Sequence, residues 1–278
     1  TEIDTGLWAG PTTIKKFDAA QNIISACNTT ISVAGEYVLN QSLNYGDIPD
    51  EENKCIHITV SNVDFDGAGF YLEGNRTDSG SESAFYVNPG IGNITIRNVF
   101  INNSWNVGIA TQNDPETFTT GLTVFNVSFH NNSAIDVQYS GHNLVVNQST
   151  FTNKPGSQIR SIDSSAANTT LFNWTVVNSI FNLTNGGDSS SSIKFANIST
   201  GLIQNNVVDL QLTASDDAFI CDDCTNVSFI SNVFSSVTNA IRVKNAVIVV
   251  LQHNVITLTV ANEGNPNHAF NITDSNSV

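Results

Sequence analysis

The side chains most able to do chemistry lie between Ser215 and Lys244. Asp216 and Asp217 are adjacent carboxylates followed by Ala218-Phe219-Ile220, and Cys221-Asp222-Asp223-Cys224 comes directly after them. Arg242 and Lys244 stand two apart on the next apolar segment. The Asp pair is the strongest enzymatic hint in the chain. The same aspartates also suit a solvated turn, and Asp222 with Asp223 offers oxygen ligands to calcium. Cys27 and Cys55 are 28 residues apart, close to one structural repeat as described below. In an oxidising compartment the expected pairing is Cys27–Cys55 and Cys221–Cys224. A redox-active CxxC wants a helix N-terminus in a βαβ setting, and a zinc site wants a second Cys pair or a His cluster. Neither is near in sequence, and His57, His130, His142, His253 and His268 show no ligand spacing.

The 278 residues carry 10 Lys+Arg against 25 Asp+Glu, a formal charge of −15, and this excludes a nucleic-acid binder working through a basic face. Only 13% of residues are charged, and 38 Asn, 29 Ser and 27 Thr take their place. The longest purely aliphatic run, Ala246 to Leu251, is six residues, far short of a membrane span. Methionine is absent, and the chain opens at Thr1 with no basic or apolar targeting pattern, so a processed, secreted chain is expected, with its signal segment removed. Fourteen Asn-x-Ser/Thr sequons point the same way, about twice the chance number for this composition. N-linked glycans are expected at Asn28, Asn75, Asn93, Asn102, Asn131, Asn168, Asn173, Asn182, Asn197, Asn226 and Asn271. Asn40 and Asn126 are set aside because a repeat places them in an inward column; Asn147 heads the remaining sequon.

That repeat organises the chain. A six-residue pattern, apolar-x-Asn/Gln/Ser-x-x-apolar, recurs nine times, with copies starting at Val38, Val60, Ile96, Val124, Val146, Val176, Ile203, Phe229 and Val250. A further apolar residue usually stands two positions earlier (Ile58, Ile94, Leu122, Leu144, Trp174, Val227, Ile248), which is the alternation of a strand with one buried face. Each unit reads as strand, tight bend at the Asn, second strand. A third apolar pair often follows, as at Val107/Ile109 and Ile241/Val243. Asn suits the bend because it tolerates left-handed backbone. Stacking puts Asn62, Asn98, Asn126 and Asn178 in one column and Phe129, Phe151 and Phe181 in another. A coil of this length with three short strands is the geometry of a parallel β-helix.

The chain therefore resembles the right-handed parallel β-helix, pectate-lyase-like superfamily, of the extracellular surface-protein kind. The expected fold is an all-β solenoid of about nine to ten coils with a short N-terminal capping helix. Residues 1–278 are read as one domain, with 1–30 the cap region and 31–278 the coils. Ile14, Phe17, Gln21 and Ile24 supply the helix face, and Ile31 to Tyr37 and Asp66-Gly67-Ala68-Gly69-Phe70 are similar to the family's opening coil and first bend. Tyr45–Lys54 and Glu73–Glu82 interrupt the pattern as surface loops.

The resemblance also gives the Asp pair a role. Polygalacturonases of the superfamily carry Asp-Asp before apolar residues and a later Arg-Ile-Lys, so Asp216 and Asp217 would be acid and base of an inverting hydrolysis, with Arg242 and Lys244 holding an acidic sugar. The family's Asn-Thr-Asp and Gly-His-Gly are not found in the expected places, and Gly141-His142 precedes the Asp pair. A pectate-lyase calcium site would need carboxylates on an outer face whose assigned residues, Thr59, Ser61, Thr95, Arg97, Thr123, Phe125, Thr175 and Val177, include none.

Outward positions turn apolar toward the C-terminus, with Ile230, Val249 and Leu251 the expected interface. A contiguous exposed apolar stripe is unusual on a monomer, and an uncovered last coil leaves an open strand edge. The sequence thus reads as a glycosylated structural subunit of an extracellular filament, sheath, surface layer or adhesive coat, self-associating through its terminal coils and this outer face. The alternatives are a polysaccharide hydrolase or lyase, or a carbohydrate-binding adhesin without catalysis. No cofactor is implied beyond glycans and calcium at Asp222 and Asp223, and partners are copies of itself or a polysaccharide.

Overall fold

The structure is a computed structural model describing residues 21–45, 53–74, 82–103, 105–111, 117–132, 135–152, 160–164, 170–183, 191–210, 217–237, 239–258 and 268–273. It is a parallel β-solenoid. Three sheets of 10, 9 and 10 strands run side by side, and the chain visits them in turn, so every strand pairs with the equivalent strand one coil away. Gly35–Leu39 lies in the first sheet, Leu43–Asn44 in the second and Lys54–Ile58 in the third, and later coils repeat this order. All strand pairs are parallel. The described residues contain no α-helix. Most of the expected capping helix lies outside them, but Ile24 is corrected: Asn22–Ile24 is a strand, paired with Tyr37–Leu39.

From Ile96 to Phe229 the repeat marks the corner between the first and second sheets. Its third residue takes left-handed backbone at Asn98, Asn126, Gln148, Asn178, Asn205 and Ser231, with φ between 51° and 55°. Its sixth points inward, and Phe129, Phe151 and Phe181 stack on successive coils, centroids 4.9 and 4.6 Å apart and nearly parallel. All three are fully buried, as are Val137, Ile162 and Ile193, which follow them in the third sheet on the same coils. A coil alone could not cover such a row; each coil's apolar face is closed by its neighbours.

Three details differ from the sequence reading. The copy at Val60 belongs to another corner: Asn62 (φ 62°) joins the third sheet to the first and aligns with Asn93, Gly121, Asn143, Asn173 and Asn226, all left-handed. Gly121 (φ 85°) and Thr200 (φ 73°), which lies between Asn173 and Asn226, fill this row where no side-chain amide is supplied. The Asn98–Asn126 column faces outward, so Asn126 is exposed, as is Asn40. The inward polar column lies one residue later. Ser149, Ser179, Asn206 and Asn232 are almost fully buried, and Asn232 Nδ2 donates to Ile203 O (2.9 Å) and Asn254 Oδ1 (3.0 Å), while its own Oδ1 accepts from Asn206 N and Nδ2, both 3.0 Å. Buried amides persist only when so paired.

The third difference is a slip of one residue in the last coil. Phe229 pairs with Leu251 and Val227 with Val249. Val249 is therefore buried at 2% exposure and Leu251 packs partly buried against the core. Both were expected to face outward; the outward residues are Val247, Ile248 and Val250. A strand apolar on both faces carries no alternation to fix its register, and a one-residue shift exchanges the faces completely. Ile230 does point outward, half-buried.

Candidate functional site

The third sheet gathers the charged residues that the sequence singled out. On its outer face, Asp163, Lys194, Ile220 and Arg242 occupy one row on four consecutive strands. Two residues further along lie Asp222 and its partner Lys244. Strand alternation brings this pair beside the row, since residues two apart share a face. Asp217 and its partner Asn239 stand three residues before the row, at the start of their strands, and Asp217 still reaches Arg242.

Arg242 Nη1 contacts Asp217 Oδ2 at 2.8 Å, and Nη2 lies 3.9 Å from Asp222 Oδ2. Asp217 is almost buried. Burial pushes its carboxyl above the ordinary carboxylate range; Arg242 and a hydrogen bond with Asn239 pull it back, and the charge of Asp222 adds to the rise. Asp222 Oδ1 is buried without a hydrogen-bond partner among the described residues. Lys244 is exposed. One guanidinium is thus shared by two carboxylates, and this group of three carries a net negative charge. Arg242 is already committed, which does not suit the clamp on an acidic sugar that the polygalacturonase resemblance implies. Asp216, the other half of the Asp pair, lies outside the described residues, as do Asn75, Asn168 and most of both interrupting loops.

The remaining sites fall as follows. Cys27–Cys55 ties the bend before Thr29–Ile31 to the strand Lys54–Ile58 of the next coil, and Cys221–Cys224 closes the CxxC, so no cysteine is free. Cys221 and Cys224 are buried, consistent with a staple rather than an exchanging pair. Asp223 (φ 56°) occupies a left-handed corner and accepts a hydrogen bond from Asn245 Nδ2 at 3.1 Å. Among the described residues no three His, Cys, Asp or Glu side chains converge as a metal site. Asn28, Asn93, Asn173, Asn182 and Asn226 are exposed, and Asn102, Asn131, Asn197 and Asn271 are half-exposed. No helix among the described residues is long and apolar enough to cross a membrane.

Two features escaped sequence reasoning. The first sheet's outer face does carry carboxylates: Glu36 and Asp64 pair with each other and Asp64 with Thr95. Arg97 Nε bonds Asp64 Oδ1 at 2.9 Å and Nη1 bonds Asp66 Oδ2 at 2.6 Å. Placing Asn62 at the wrong corner hid this cluster, and Arg97 neutralises much of it. The second is a row of exposed apolar residues on the second sheet. Ile180, Val207, Val233 and Val255 stand opposite one another on four successive strands, with exposures of 47, 43, 40 and 58%. The strand signal x-apolar-x around each was readable, but their alignment depends on register.

No family model matches the chain, and no curated protein does. Among solved structures, the A-module of the Azotobacter vinelandii mannuronan C-5 epimerase AlgE6 is similar over 93% of this chain and 88% of its own, at 11% identity and a TM-score of 0.37. A capsular polysaccharide depolymerase, the tailspike gp49 of Acinetobacter baumannii bacteriophage Fri1, is similar over 88% of this chain and 57% of its own, at 11% identity and a TM-score of 0.30. The periplasmic alginate epimerase AlgG, solved as a double mutant, is similar over 89% of this chain and 79% of its own, at 12% identity and a TM-score of 0.25. These likenesses are to parallel β-helix proteins and concern the fold.

Proposed function

We propose that the chain is a secreted, N-glycosylated structural subunit that associates with copies of itself through the outer face of its second sheet. The observation that carries this reading is the row Ile180, Val207, Val233 and Val255. At the ~4.8 Å spacing of paired strands, its four aligned side chains make a straight apolar ridge about 14 Å long. Large exposed apolar side chains in contiguous register mark interaction sites. The strands Val207–Leu210, Val233–Val237 and Val255–Leu258 contain no sequon, whereas sequons fall on both other sheets and their corners. On the second sheet itself, the sequon at Asn182 lies beside Ile180 and bounds this clear stretch. The stretch around Val207, Val233 and Val255, kept clear of sequons while the surface beside it carries them, suits contact between copies of the chain. The two disulfides and the sequon density support a location outside the cell.

A second reading, a polysaccharide hydrolase or lyase, is favoured by one observation: the buried Asp217, paired with Arg242 close to Asp222. Negative-stain microscopy of native material, together with an assay on acidic polysaccharides, separates the two. Ordered polymers without cleavage support the structural subunit. Dispersed monomers whose cleavage activity disappears in Asp217→Asn overturn it in favour of the enzyme.

A further inference from the structure

At the corner between the third and first sheets, three rings form a ladder on the molecular surface. Phe118 and His142 are 5.2 Å apart between centroids, and His142 and Phe172 are 5.1 Å apart, each pair tilted by just over 40°. Phe172 is 44% exposed, and His142 Nδ1 accepts a hydrogen bond from the Phe172 backbone N–H at 3.2 Å, which fixes the imidazole beneath the ring. The next residue, Asn173, is exposed, takes left-handed backbone (φ 58°) and heads the sequon Asn173-Trp174-Thr175. Its Nδ2 donates to Asn143 Oδ1 at 3.0 Å.

We propose that Asn173 carries an N-linked glycan whose first pyranose packs on the Phe118–His142–Phe172 ladder. The reading rests on secretion of the chain. Three points support it. The exposed ring of Phe172, backed by His142 and Phe118, offers an apolar surface beside Asn173 that the C–H face of a pyranose can cover. The Nδ2 of Asn173 has two hydrogens, so one remains for Asn143 after the other is replaced by sugar. Finally, the neighbouring corner sequons lack this surface: Gly92 precedes Asn93, and Thr225 precedes Asn226. In the transfer, Asn173 Nδ2 forms a bond to the anomeric carbon of a lipid-pyrophosphate-linked oligosaccharide, supplied by an external transferase. The anomeric C–O bond breaks, the lipid pyrophosphate leaves with the electron pair, and the displaced amide proton goes to base.

The test uses the natively produced protein. Peptide mass spectrometry should find sugar on Asn173, and thermal unfolding should show Phe172→Ala lowering Tm by about 2–4 °C. The same substitution in an Asn173→Gln background should have no such effect, and its effect should persist in Asn93→Gln. An unmodified Asn173 beside occupied Asn93 or Asn226 overturns this proposal alone; bare Asn at every sequon overturns the secreted reading as well. An equal Tm loss for Phe172→Ala with and without the glycan means that the ring is structural and overturns the contact. Titration of unglycosylated Asn173→Gln protein with the released wild-type glycan tests the contact apart from the tether: binding lost in Phe172→Ala supports it, and binding that survives Phe172→Ala places the sugar elsewhere and overturns it.

Discussion

Replacing Asn232 by Ala separates two asparagine ladders that look alike in sequence. Asn232 is fully buried, and its side chain makes four hydrogen bonds to Asn206, Ile203 and Asn254. Truncation leaves the Asn206 backbone N–H with no acceptor. Asn206 Nδ2 keeps its bond to Val176 O, and Asn254 Oδ1 keeps the Asn232 N–H. One orphaned buried donor costs about 1–3 kcal/mol, and the weakened contacts and small void add about 1 kcal/mol or more. The expected total is about 3 kcal/mol. Asn126→Ala removes a solvent-exposed amide whose single ladder bond, to Asn98 Oδ1 at 2.8 Å, is replaceable by water. Loss of the left-handed preference at φ 52° then dominates, at about 1 kcal/mol. Equilibrium urea unfolding of the two variants measures both. Equal losses, or a larger one for Asn126→Ala, would refute the assignment of inward and outward columns.

Other outcomes follow from the same geometry. Phe151→Ala, between two parallel rings in the core, should cost about 3–5 kcal/mol in the same assay; a loss below about 1 kcal/mol contradicts the stacked column. Because burial raises the Asp217 carboxyl above its ordinary value of 3.8, the folded chain retains a proton that the unfolded chain has released. That contribution to stability is complete below the ordinary value and is lost as pH rises through the raised one. Asp217→Asn should therefore gain stability relative to wild type as pH rises from about 4 toward neutrality. Thermal unfolding between these limits checks it, and a pH-independent difference refutes it. Association of a chain with net charge −15 should strengthen as salt rises, because the Debye length shrinks to about 8 Å at physiological ionic strength. Light scattering across a salt series that shows dissociation instead would point to ion pairs, not an apolar ridge.

The fold was legible because period-two alternation and a bend residue recur every 21 to 36 residues; the Phe129–Phe151–Phe181 column follows directly from it. Registers failed where that signal is weak. Val247–Leu251 is apolar on both faces, and its left-handed corner is filled by Ile248 (φ 60°), neither Asn nor Gly. The inward Asn206–Asn232–Asn254 column hid beside Asn205 and Ser231 because an Asn at a corner gives no sign of the direction in which it points. The charged site was legible only as a list. That Arg242 bridges Asp217 and Asp222 depends on the pairing of strands 22 residues apart in sequence, and the outer ridge depends on the alignment of four strands. Neither leaves a local trace.

Sedimentation velocity of the purified native protein over a concentration series, beside Val207→Asp and Val233→Asp, tests self-association most directly. The account predicts that wild type grows into larger species with concentration, and that either carboxylate on the ridge returns it to a folded monomer with an unchanged far-UV spectrum. A wild-type chain that stays monomeric at every concentration and salt, or variants that assemble as wild type does, would contradict it.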